Sequence, residues 1–406
     1  MKIFTEHHPL KGVIVHEPDI GIGYITPAVA EQLLYDDIVF LPRMIEEHFV
    51  FTQALRAVIG AQNVYELEDL LAYILKIPTA KDQFLQELKL IDQLSDETMG
   101  VLSNMNSKDL SQTLISGLDL EHQVRLKPLP NLVFTRDLGC VIHDHILLSK
   151  MNKEARKRES YLFQSIVNHH PLFQSFQGKV IDLLKIDDPD YLISVEGGDV
   201  MIVHPDYLLI GISERTTWEG FLAVKEALFK TSTVKNIVAV HLPPERYCMH
   251  LDTVFTVLSN EFCVGYSALV FERNPQLEVV KFSVNTSESI NYDSLRELML
   301  EIYPEMKFIP CGNNIPPFDA REQWTDGANL VAVRPNVAFS YERNVHTLNA
   351  FKSHGFSVVD ARHFINYTEE EQEVLLKQPC IITISSAELS RARGGTHCMT
   401  LPIGRM

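Results

Sequence analysis

The chain has 406 residues, of which 46% are hydrophobic and 22% charged, so it can bury a large core in one big domain or two ordinary ones. Its formal net charge of −17 disfavours nucleic acid and anionic membrane surfaces as partners. No apolar run reaches the roughly 18 residues that span a bilayer, and no secretory leader is recognisable. We therefore expect a soluble cytoplasmic protein that binds a small cationic or zwitterionic molecule.

In chain order, the first distinctive segment is helical. Between residues 66 and 121, apolar residues recur at spacings of three and four, with little of the alternation typical of strands. This pattern predicts a small helical bundle of residues 66–121 inserted into a single catalytic domain of residues 1–406. Because the segment contains no cluster of cysteine, histidine and carboxylate residues, we expect it to stabilise the protein or join subunits.

Elsewhere the chain repeats one arrangement: an apolar strand, a tight turn, a second strand, a helix and a third strand. One copy begins at GGDVMIV and ends at NIVAVHL, and another begins at GANLVAV and ends at FSVVD. Weaker copies begin at Asp137 and Asp252, and a fifth forms if CMTLPI joins KGVIVHE near the N-terminus. Five such ββαβ units predict an α/β fold, a closed five-bladed propeller with pseudo-fivefold symmetry.

Polar side chains occur at equivalent points of successive units, directly before or at the first strand. If the units surround an axis, these side chains point into one pocket. They are Asp137, Glu196, His250, Asp252 and Cys398. Three crowded carboxylates raise one another's pKa values unless a cation lies between them. A guanidinium fits this requirement because it is planar and donates paired hydrogen bonds to carboxylates.

The sulfur of Cys398 is a suitable nucleophile for a guanidinium carbon that carboxylates hold beside it. In RARGGTHCMT, the Gly-Gly pair allows close approach of the backbone to a ligand just before the cysteine. We expect Arg391, Arg393 and His397 to favour the thiolate electrostatically. The six cysteines include no Cys-x-x-Cys pair, so neither a disulfide framework nor a zinc site is expected. A cysteine near a C-terminus is by itself more often a buried hydrophobe.

Six segments resemble, in order and spacing, the signature segments of bacterial arginine deiminases: PNLVFTRD, SVEGGDV, GISERT, MHLDTVFT, AREQWTDGAN and ELSRARGGTHCM. The resemblance covers nearly the whole chain and implies the pentein fold, the five-bladed α/β-propeller of the guanidine-modifying superfamily. It implies hydrolysis of free L-arginine to L-citrulline and ammonia through a cysteine thiouronium intermediate. It also implies that no metal or organic cofactor is needed and that the protein forms a homodimer or higher homo-oligomer.

The resemblance further implies a role for each catalytic residue. Cys398 would be the nucleophile, and His250 the general acid that protonates ammonia and the base that activates water. Asp137 and Asp252 would bind the guanidinium nitrogens, while Glu196 would assist there and orient His250.

Five more residues match positions that bind the substrate in this family. Arg156 and Arg215 would hold the α-carboxylate, and Arg393 would belong to the mobile loop before the cysteine. Asn131 and Phe134 would line the pocket. The sequence departs from the family pattern at Leu138-Gly139, where Pro-Phe is usual, and at Asn313-Asn314, where glycines are usual.

Other interpretations stay open. An amidinotransferase would use the same cysteine intermediate with an amine as acceptor, and a related hydrolase would act on another small guanidine compound. A metallohydrolase could use His250, Asp252 and Glu196 as ligands, although the chain lacks a compact His-x-x-x-His site. A non-catalytic arginine-binding protein would need neither Cys398 nor His250, so the presence of both favours an enzyme.

Overall fold

The structure, a computed structural model, describes all residues from 1 to 406 and has a mixed α/β fold built on five separate sheets. The strands are β1 (Leu10–Val15), β2 (Val64–Glu66), β3 (Gly139–Ile142), β4 (His145–Leu148), β5 (Val180–Asp182), β6 (Val200–His204), β7 (Tyr207–Ile212), β8 (Asn236–His241), β9 (Phe255–Val257), β10 (Phe262–Gly265), β11 (Glu278–Ser283), β12 (Ser289–Tyr292), β13 (Lys307–Pro310), β14 (Val331–Arg334), β15 (Val337–Tyr341), β16 (Ser357–Asp360), β17 (Cys380–Ile384) and β18 (Leu401–Arg405).

The helices lie between and around these strands. They are α1 (Leu41–Ile59), α2 (Leu67–Ile74), α3 (Pro78–Ile91), α4 (Asp96–Asn104), α5 (Ser107–Ser116), α6 (Lys157–His169), α7 (Trp218–Lys230), α8 (Ser267–Val270), α9 (Leu295–Ile302), α10 (Phe318–Trp324), α11 (Val345–Ser353), α12 (Ala361–Ile365) and α13 (Glu369–Leu375). Short 3-10 helices connect several of them. None of the helices is both long enough and apolar enough to cross a membrane.

All five sheets contain the same three-stranded core, in which two antiparallel neighbours are followed by a third strand parallel to the second. The five cores are β18-β1-β2, β3-β4-β5, β6-β7-β8, β9-β10-β13 and β14-β15-β17. Between the second and third strands of each core the chain forms a helix: α1, α6, α7, α9 or α11. Each core thus follows the order that the sequence repeat predicts.

Two strand pairings differ from the prediction. FSVVD, expected as the third strand beside β15, forms β16 at the sheet edge, and β17 lies between the two. The whole of β17 is buried, as a central parallel strand requires, whereas no residue of β16 is. The second difference is the hairpin β11-β12, which pairs with β8 and extends that sheet to five strands.

The first and last strands of the chain pair with each other. Antiparallel β1 and β18 place Leu10 opposite Arg405 and Ile14 opposite Leu401. The predicted joining of KGVIVHE with the C-terminal strand is thereby confirmed. Since Cys398 precedes β18 by three residues, this pairing fixes the sulfur at the end of a sheet.

Four helices, α2 to α5, occupy the segment predicted to be an insertion and have clear sequence signals at their ends. Ser95 and Asn106 accept hydrogen bonds from the first backbone N–H groups of α4 and α5. Gly117, in the left-handed conformation, ends α5. Their apolar faces share one hydrophobic core with α6 and the sheet β3-β4-β5, so the insertion is packed firmly against the unit that contains Asp137.

Helix α1 packs against β15 and contacts the loop that leads to Cys398. Its Phe51 packs edge-to-face on Phe339 of β15, with ring centroids 5.4 Å apart. One turn earlier, both carboxylate oxygens of buried Glu47 accept hydrogen bonds from the backbone N–H groups of residues 387–389. The helix therefore connects the core to the loop that leads to Cys398.

Phe51→Ala should lower the free energy of unfolding by about 3–5 kcal/mol, because it leaves a cavity beneath Phe339. Phe49→Ala makes the same truncation on the exposed face of α1 and should change stability by no more than about 0.5 kcal/mol. Denaturant unfolding followed by circular dichroism measures both values. Equal losses in the two variants would contradict the packing described for α1.

Candidate active site

Five polar side chains that are distant in sequence meet at one end of the sheets. Asp137 lies in the 3-10 helix before β3, and Glu196 directly precedes the 3-10 helix before β6. His250 and Asp252 lie just before β9, and Cys398 lies before β18. All five are at most 5% exposed. The equivalent position of each residue in its sheet is what brings them together.

His250 lies between two carboxylates. Its Nε2 is 2.9 Å from Oε2 of Glu196, and its Nδ1 is 3.7 Å from Oδ1 of Asp137. Burial disfavours the protonated ring, but Asp137, the hydrogen bond with Glu196 and nearby Asp199 outweigh it and raise the pKa of His250 to about 9. Glu196 also faces Arg215, and despite its burial its pKa falls to about 2. At neutral pH the pair is therefore imidazolium and carboxylate, and His250 holds a proton that it can donate.

The sulfur of Cys398 is in an acidic environment. It lies 3.5 Å from Oδ2 of Asp252 and 3.1 Å from the side-chain nitrogen of Asn329. Burial raises the pKa of this thiol well above its usual value, and Asp252, Asp137 and Asp326 raise it further. The resting sulfur is thus protonated and needs a nearby cation before it becomes a thiolate.

Of the basic residues predicted to favour the thiolate, Arg393 does interact favourably with an ionised Cys398, but burial and the carboxylates around the sulfur outweigh it. Arg391 forms its ion pairs at the surface. The guanidinium of Arg393 stacks over the ring of Trp324 at 3.3 Å. His397 directs Nδ1 at Oδ2 of Asp252, 2.8 Å away. Each of these side chains has a partner other than sulfur, so the carboxylates dominate the potential around Cys398.

Asp137 and Asp252 each have one oxygen engaged and one free. Oδ2 of Asp137 accepts a hydrogen bond of 2.5 Å from Arg156, and Oδ2 of Asp252 contacts His397. The two Oδ1 atoms are buried and have no hydrogen-bond partner. Because buried carboxylate oxygens rarely stay unpaired, these atoms indicate where a ligand with N–H donors binds.

The two predicted carboxylate-binding arginines are in different states. Arg156 is saturated, because its guanidinium donates to Asp137 at 2.5 Å and to Glu159 at 2.8 and 3.0 Å. Arg215 forms no short hydrogen bond to a carboxylate. Its nearest carboxylate oxygens, on Glu196 and Glu214, are 3.7 and 3.8 Å away, and its Nε has no hydrogen-bond partner. Arg215 is therefore the arginine whose donors are free for a ligand.

The remaining predicted residues form the wall beside Cys398. Asn131 donates a hydrogen bond to the carbonyl of Leu33. The ring of Phe134 lies against the loop before the cysteine, where a Cβ on Gly394 would be 2.2 Å from it. The preceding Arg393 has a φ of 69°. Gly394 thus lets the loop approach the aromatic wall, as the sequence suggested for the Gly-Gly pair.

These side chains enclose a cavity of about 20 Å³. Its lining includes eight of the predicted residues, namely Asn131, Phe134, Asp137, Arg156, Arg215, His250, Arg393 and Cys398. Leu34, Arg246, Met249, Thr253 and Ala392 complete it, while Glu196 and Asp252 lie directly behind the lining. Such a volume holds about one water molecule, so a substrate enters only when the covering segments move.

The covering segments are held by ion pairs and aromatic contacts at the surface. Asp36, two residues after Leu34, is 3.0 Å from Arg246 and 3.6 Å from Arg393. Exposed ion pairs of this kind contribute little stability each. The cover over the cavity is therefore easier to displace than the buried residues beneath it.

Asp137, Glu196 and His250 also have the composition of a metal site, with one ligand atom from each within 4.8 Å of the others. However, the guanidinium of Arg156 lies 2.5 Å from Asp137 and 3.5 Å from Glu196. A cation of the protein thus already neutralises these carboxylates. The arrangement fits a metal ion poorly, which weakens the metallohydrolase reading on grounds of charge.

Sequence reasoning missed two buried residues of the site and assigned a third a different role. Asn329 contacts the sulfur, Glu159 holds Arg156, and His397 binds Asp252 rather than assisting the thiol. Asn329 belongs to the segment AREQWTDGAN, whose resemblance to a family signature was the available signal. Its residue type alone gave no chemical reason to select it.

Comparison with solved structures shows the fold class. The N-terminal domain of ArgZ, covalently bound to a reaction intermediate, is 16% identical with a TM-score of 0.53, covering 97% of each chain. DDAH from Pseudomonas aeruginosa in complex with citrulline is 16% identical with a TM-score of 0.51, covering 97% of this chain and 99% of the other. SxtG, an amidinotransferase from Microseira wollei, is 14% identical with a TM-score of 0.54, covering 100% of this chain and 97% of the other. The protein therefore shares the mixed α/β fold of these structures.

Sequence comparison identifies the family within that class. The family model described as arginine deiminase matches residues 83–405. Arginine deiminases from Limosilactobacillus reuteri and Listeria monocytogenes are each 31% identical, covering 99% and 100% of this chain and 97% and 98% of the relatives. The chain belongs to the arginine deiminase family. The predicted resemblance is confirmed, and with it the prediction of a hydrolase that acts on C–N bonds.

Glu196→Gln should lower the pKa of His250 from about 9 toward its ordinary value of about 6.5, because it removes a negative charge and a strong acceptor. NMR titration of the ring measures the shift. A raised pKa stabilises the folded state fully below pH of about 6.5, and this contribution is lost as the pH rises through 9. The variant should therefore lose less stability than the wild type over that interval.

Glu214→Gln is the matched control, since it removes a neighbouring carboxylate that pairs with Lys153 instead. The pKa of His250 should stay near 9 in this variant. If Glu196→Gln also leaves it there, Glu196 does not set the charge of His250.

Proposed function

We propose that this protein hydrolyses the guanidinium group of free L-arginine to L-citrulline and ammonia, with Cys398 as the nucleophile. Family membership supports the reaction. The observation that carries the assignment of residues is the pair of unpartnered buried oxygens on Asp137 and Asp252. Asp137 lines the same cavity as the sulfur, and the other oxygen of Asp252 lies 3.5 Å from that sulfur. A guanidinium is the cation that satisfies both oxygens at once through its N–H groups.

Binding of the substrate prepares the nucleophile. The carboxylates of Asp137 and Asp252 raise the pKa of the Cys398 thiol, and a bound guanidinium offsets their negative charge. The thiol then releases its proton to solvent, and the thiolate lies beside the carbon it attacks. Nucleophile formation is thereby coupled to the presence of a cationic substrate.

The chemistry proceeds in two halves. The sulfur forms a bond to the guanidinium carbon, and His250 donates its proton to the departing nitrogen. Ammonia departs, and a thiouronium cation remains on Cys398. His250, now neutral, takes a proton from water, whose oxygen adds to the same carbon. The C–S bond breaks to release citrulline, and the hydroxyl proton passes to ammonia. Glu196 keeps His250 oriented and charged at the start of each cycle.

Recognition of the α-carboxylate is proposed for Arg215 and Arg156. Arg215 has free donors in the cavity wall, whereas Arg156 first has to give up a contact with Asp137 or Glu159. Arg393, stacked on Trp324 at the cavity cover, closes over the bound substrate. Asn131 and Phe134 shape the wall along its aliphatic part.

The wider architecture is also a proposal. We infer that the five sheets are blades of one propeller with pseudo-fivefold symmetry, a reading supported by their common three-stranded core and by the pairing of β1 with β18. Residues 66–121 form the inserted bundle of a single catalytic domain. Leu138-Gly139 and Asn313-Asn314, which depart from the family pattern, do not line the cavity, so substrate choice does not depend on direct contact with them. A cytoplasmic homodimer or higher homo-oligomer remains our prediction for the assembled protein.

The purified protein should release ammonia from free L-arginine but not from agmatine or a peptidyl arginine, which lack the free α-carboxylate. Arg215→Leu should lower kcat/KM for arginine on the order of 100-fold, since loss of one buried charged partner costs about 2–5 kcal/mol. Like the wild type, the variant should release no ammonia from agmatine. Activity chiefly on agmatine would contradict the roles of Arg215 and Arg156.

Cys398→Ala should abolish turnover of arginine altogether, because no other side chain in the cavity is a nucleophile of comparable strength. Mass spectrometry of wild-type protein quenched during turnover should detect the thiouronium adduct on Cys398. Formation of ornithine only when an acceptor amine is supplied would instead identify an amidinotransferase.

A further inference from the structure

The side chain of Asn329 is placed against the reacting sulfur by four hydrogen bonds. Its Oδ1 accepts from the backbone N–H groups of His397 and Cys398, both at 3.1 Å. Its Nδ2 donates to the carbonyl of Asp252 at 3.0 Å and to Sγ of Cys398 at 3.1 Å. The residue is 1% exposed. Both donors and both acceptor sites of the amide are thus used within the active site.

This bonding fixes which end of the amide faces sulfur. If the amide were turned around, its N–H groups would face the two backbone N–H groups of His397 and Cys398. Its oxygen would then face the carbonyl oxygen of Asp252, with no donor between the two. The loop is fitted to this side chain, because a Cβ on Gly395 would lie 2.5 Å from its Oδ1. The donor toward sulfur is therefore a fixed part of the fold.

Asn329 is the one side chain that donates a hydrogen bond to Sγ, beside the backbone N–H of Gly395, while the side chain of Asp252 accepts. A donor stabilises thiolate more than thiol, since hydrogen bonds to charged groups are the stronger ones. A lysine or arginine at this point would also stabilise the thiolate but would repel the guanidinium of the substrate. A neutral amide avoids this conflict.

We propose that Asn329 is a further catalytic residue, which stabilises the thiolate of Cys398 through its side-chain N–H and clamps the loop that presents the sulfur. This role rests on the proposed function, in which Cys398 is the nucleophile. During attack the same N–H weakens its bond as charge leaves the sulfur, and it forms again when the C–S bond breaks. The donor thereby assists the departure of sulfur in the second half of the reaction.

Asn329→Asp tests the donor separately from the clamp. The variant keeps an oxygen for the two backbone N–H groups but places a second oxygen, instead of N–H, at the sulfur. We expect kcat for arginine to fall on the order of 100-fold, as for loss of one donor to a developing anion. KM should change little. We also measure alkylation of Cys398 by iodoacetamide, using mass spectrometry, over a range of pH. The alkylation rate of the variant should rise only at a higher pH than that of the wild type.

Asn344→Asp is the matched control, because Asn344 is also fully buried but bonds Thr325 rather than sulfur. It should leave the pH profile of Cys398 alkylation unchanged. An Asn329→Asp protein with wild-type kcat and alkylation profile would overturn the proposal. A wild-type protein that is inactive on arginine would contradict the proposed function. The alkylation profiles would still test the role of Asn329, because alkylation needs no turnover.

A measurement on the wild type covers the case in which Asn329→Asp does not fold. With ¹⁵N-labelled asparagine, the side-chain amide resonance of Asn329, assigned by its loss in Asn329→Ser, should move when Cys398 is alkylated. It should also move as the thiol ionises. No change in either experiment would show that this N–H does not bond the sulfur, and the proposal would fall.

Discussion

The site depends on negative charge that is buried and only partly compensated. Asp137 and Asp252 each give one oxygen to a cationic or imidazole partner and keep the other without a hydrogen bond, Oδ1 of Asp137 lying 3.7 Å from the ring of His250. Unpaired buried charge destabilises a folded protein, so the surrounding elements must hold it in place. The cores of the sheets, and the packing of α1 and of the inserted helices, provide that support. In the free protein these oxygens therefore lack the hydrogen bonds that a cationic ligand would supply on binding.

The same charge explains the state of each neighbouring group. It raises the pKa of His250 to about 9, and together with burial it raises the pKa of the Cys398 thiol, so both groups are protonated in the free protein. In the proposed mechanism the sulfur becomes reactive only beside a guanidinium. A protein of this kind is protected from oxidants and stray electrophiles between turnovers, because the thiol form reacts slowly with both. Its five other cysteines are buried.

Much of this could be predicted from the sequence, because repeated strand patterns place polar residues at equivalent points. The ββαβ order, the pairing of the chain ends and the gathering of Asp137, Glu196, His250, Asp252 and Cys398 all follow from that repetition. Pairings that depend on three-dimensional packing did not follow. Nothing in FSVVD indicates that β17 lies between it and β15, and no local signal shows that Glu159 saturates Arg156 or that carboxylates outweigh the basic residues near the thiol.

The antiparallel pairing of β1 with β18 also has a consequence for biosynthesis. A ribosome makes β1 long before it makes Cys398 and the adjacent β18. Until then one edge of β1 stays open and is a template for unwanted association. The proposed nucleophile and the strand that covers this edge are therefore synthesised together.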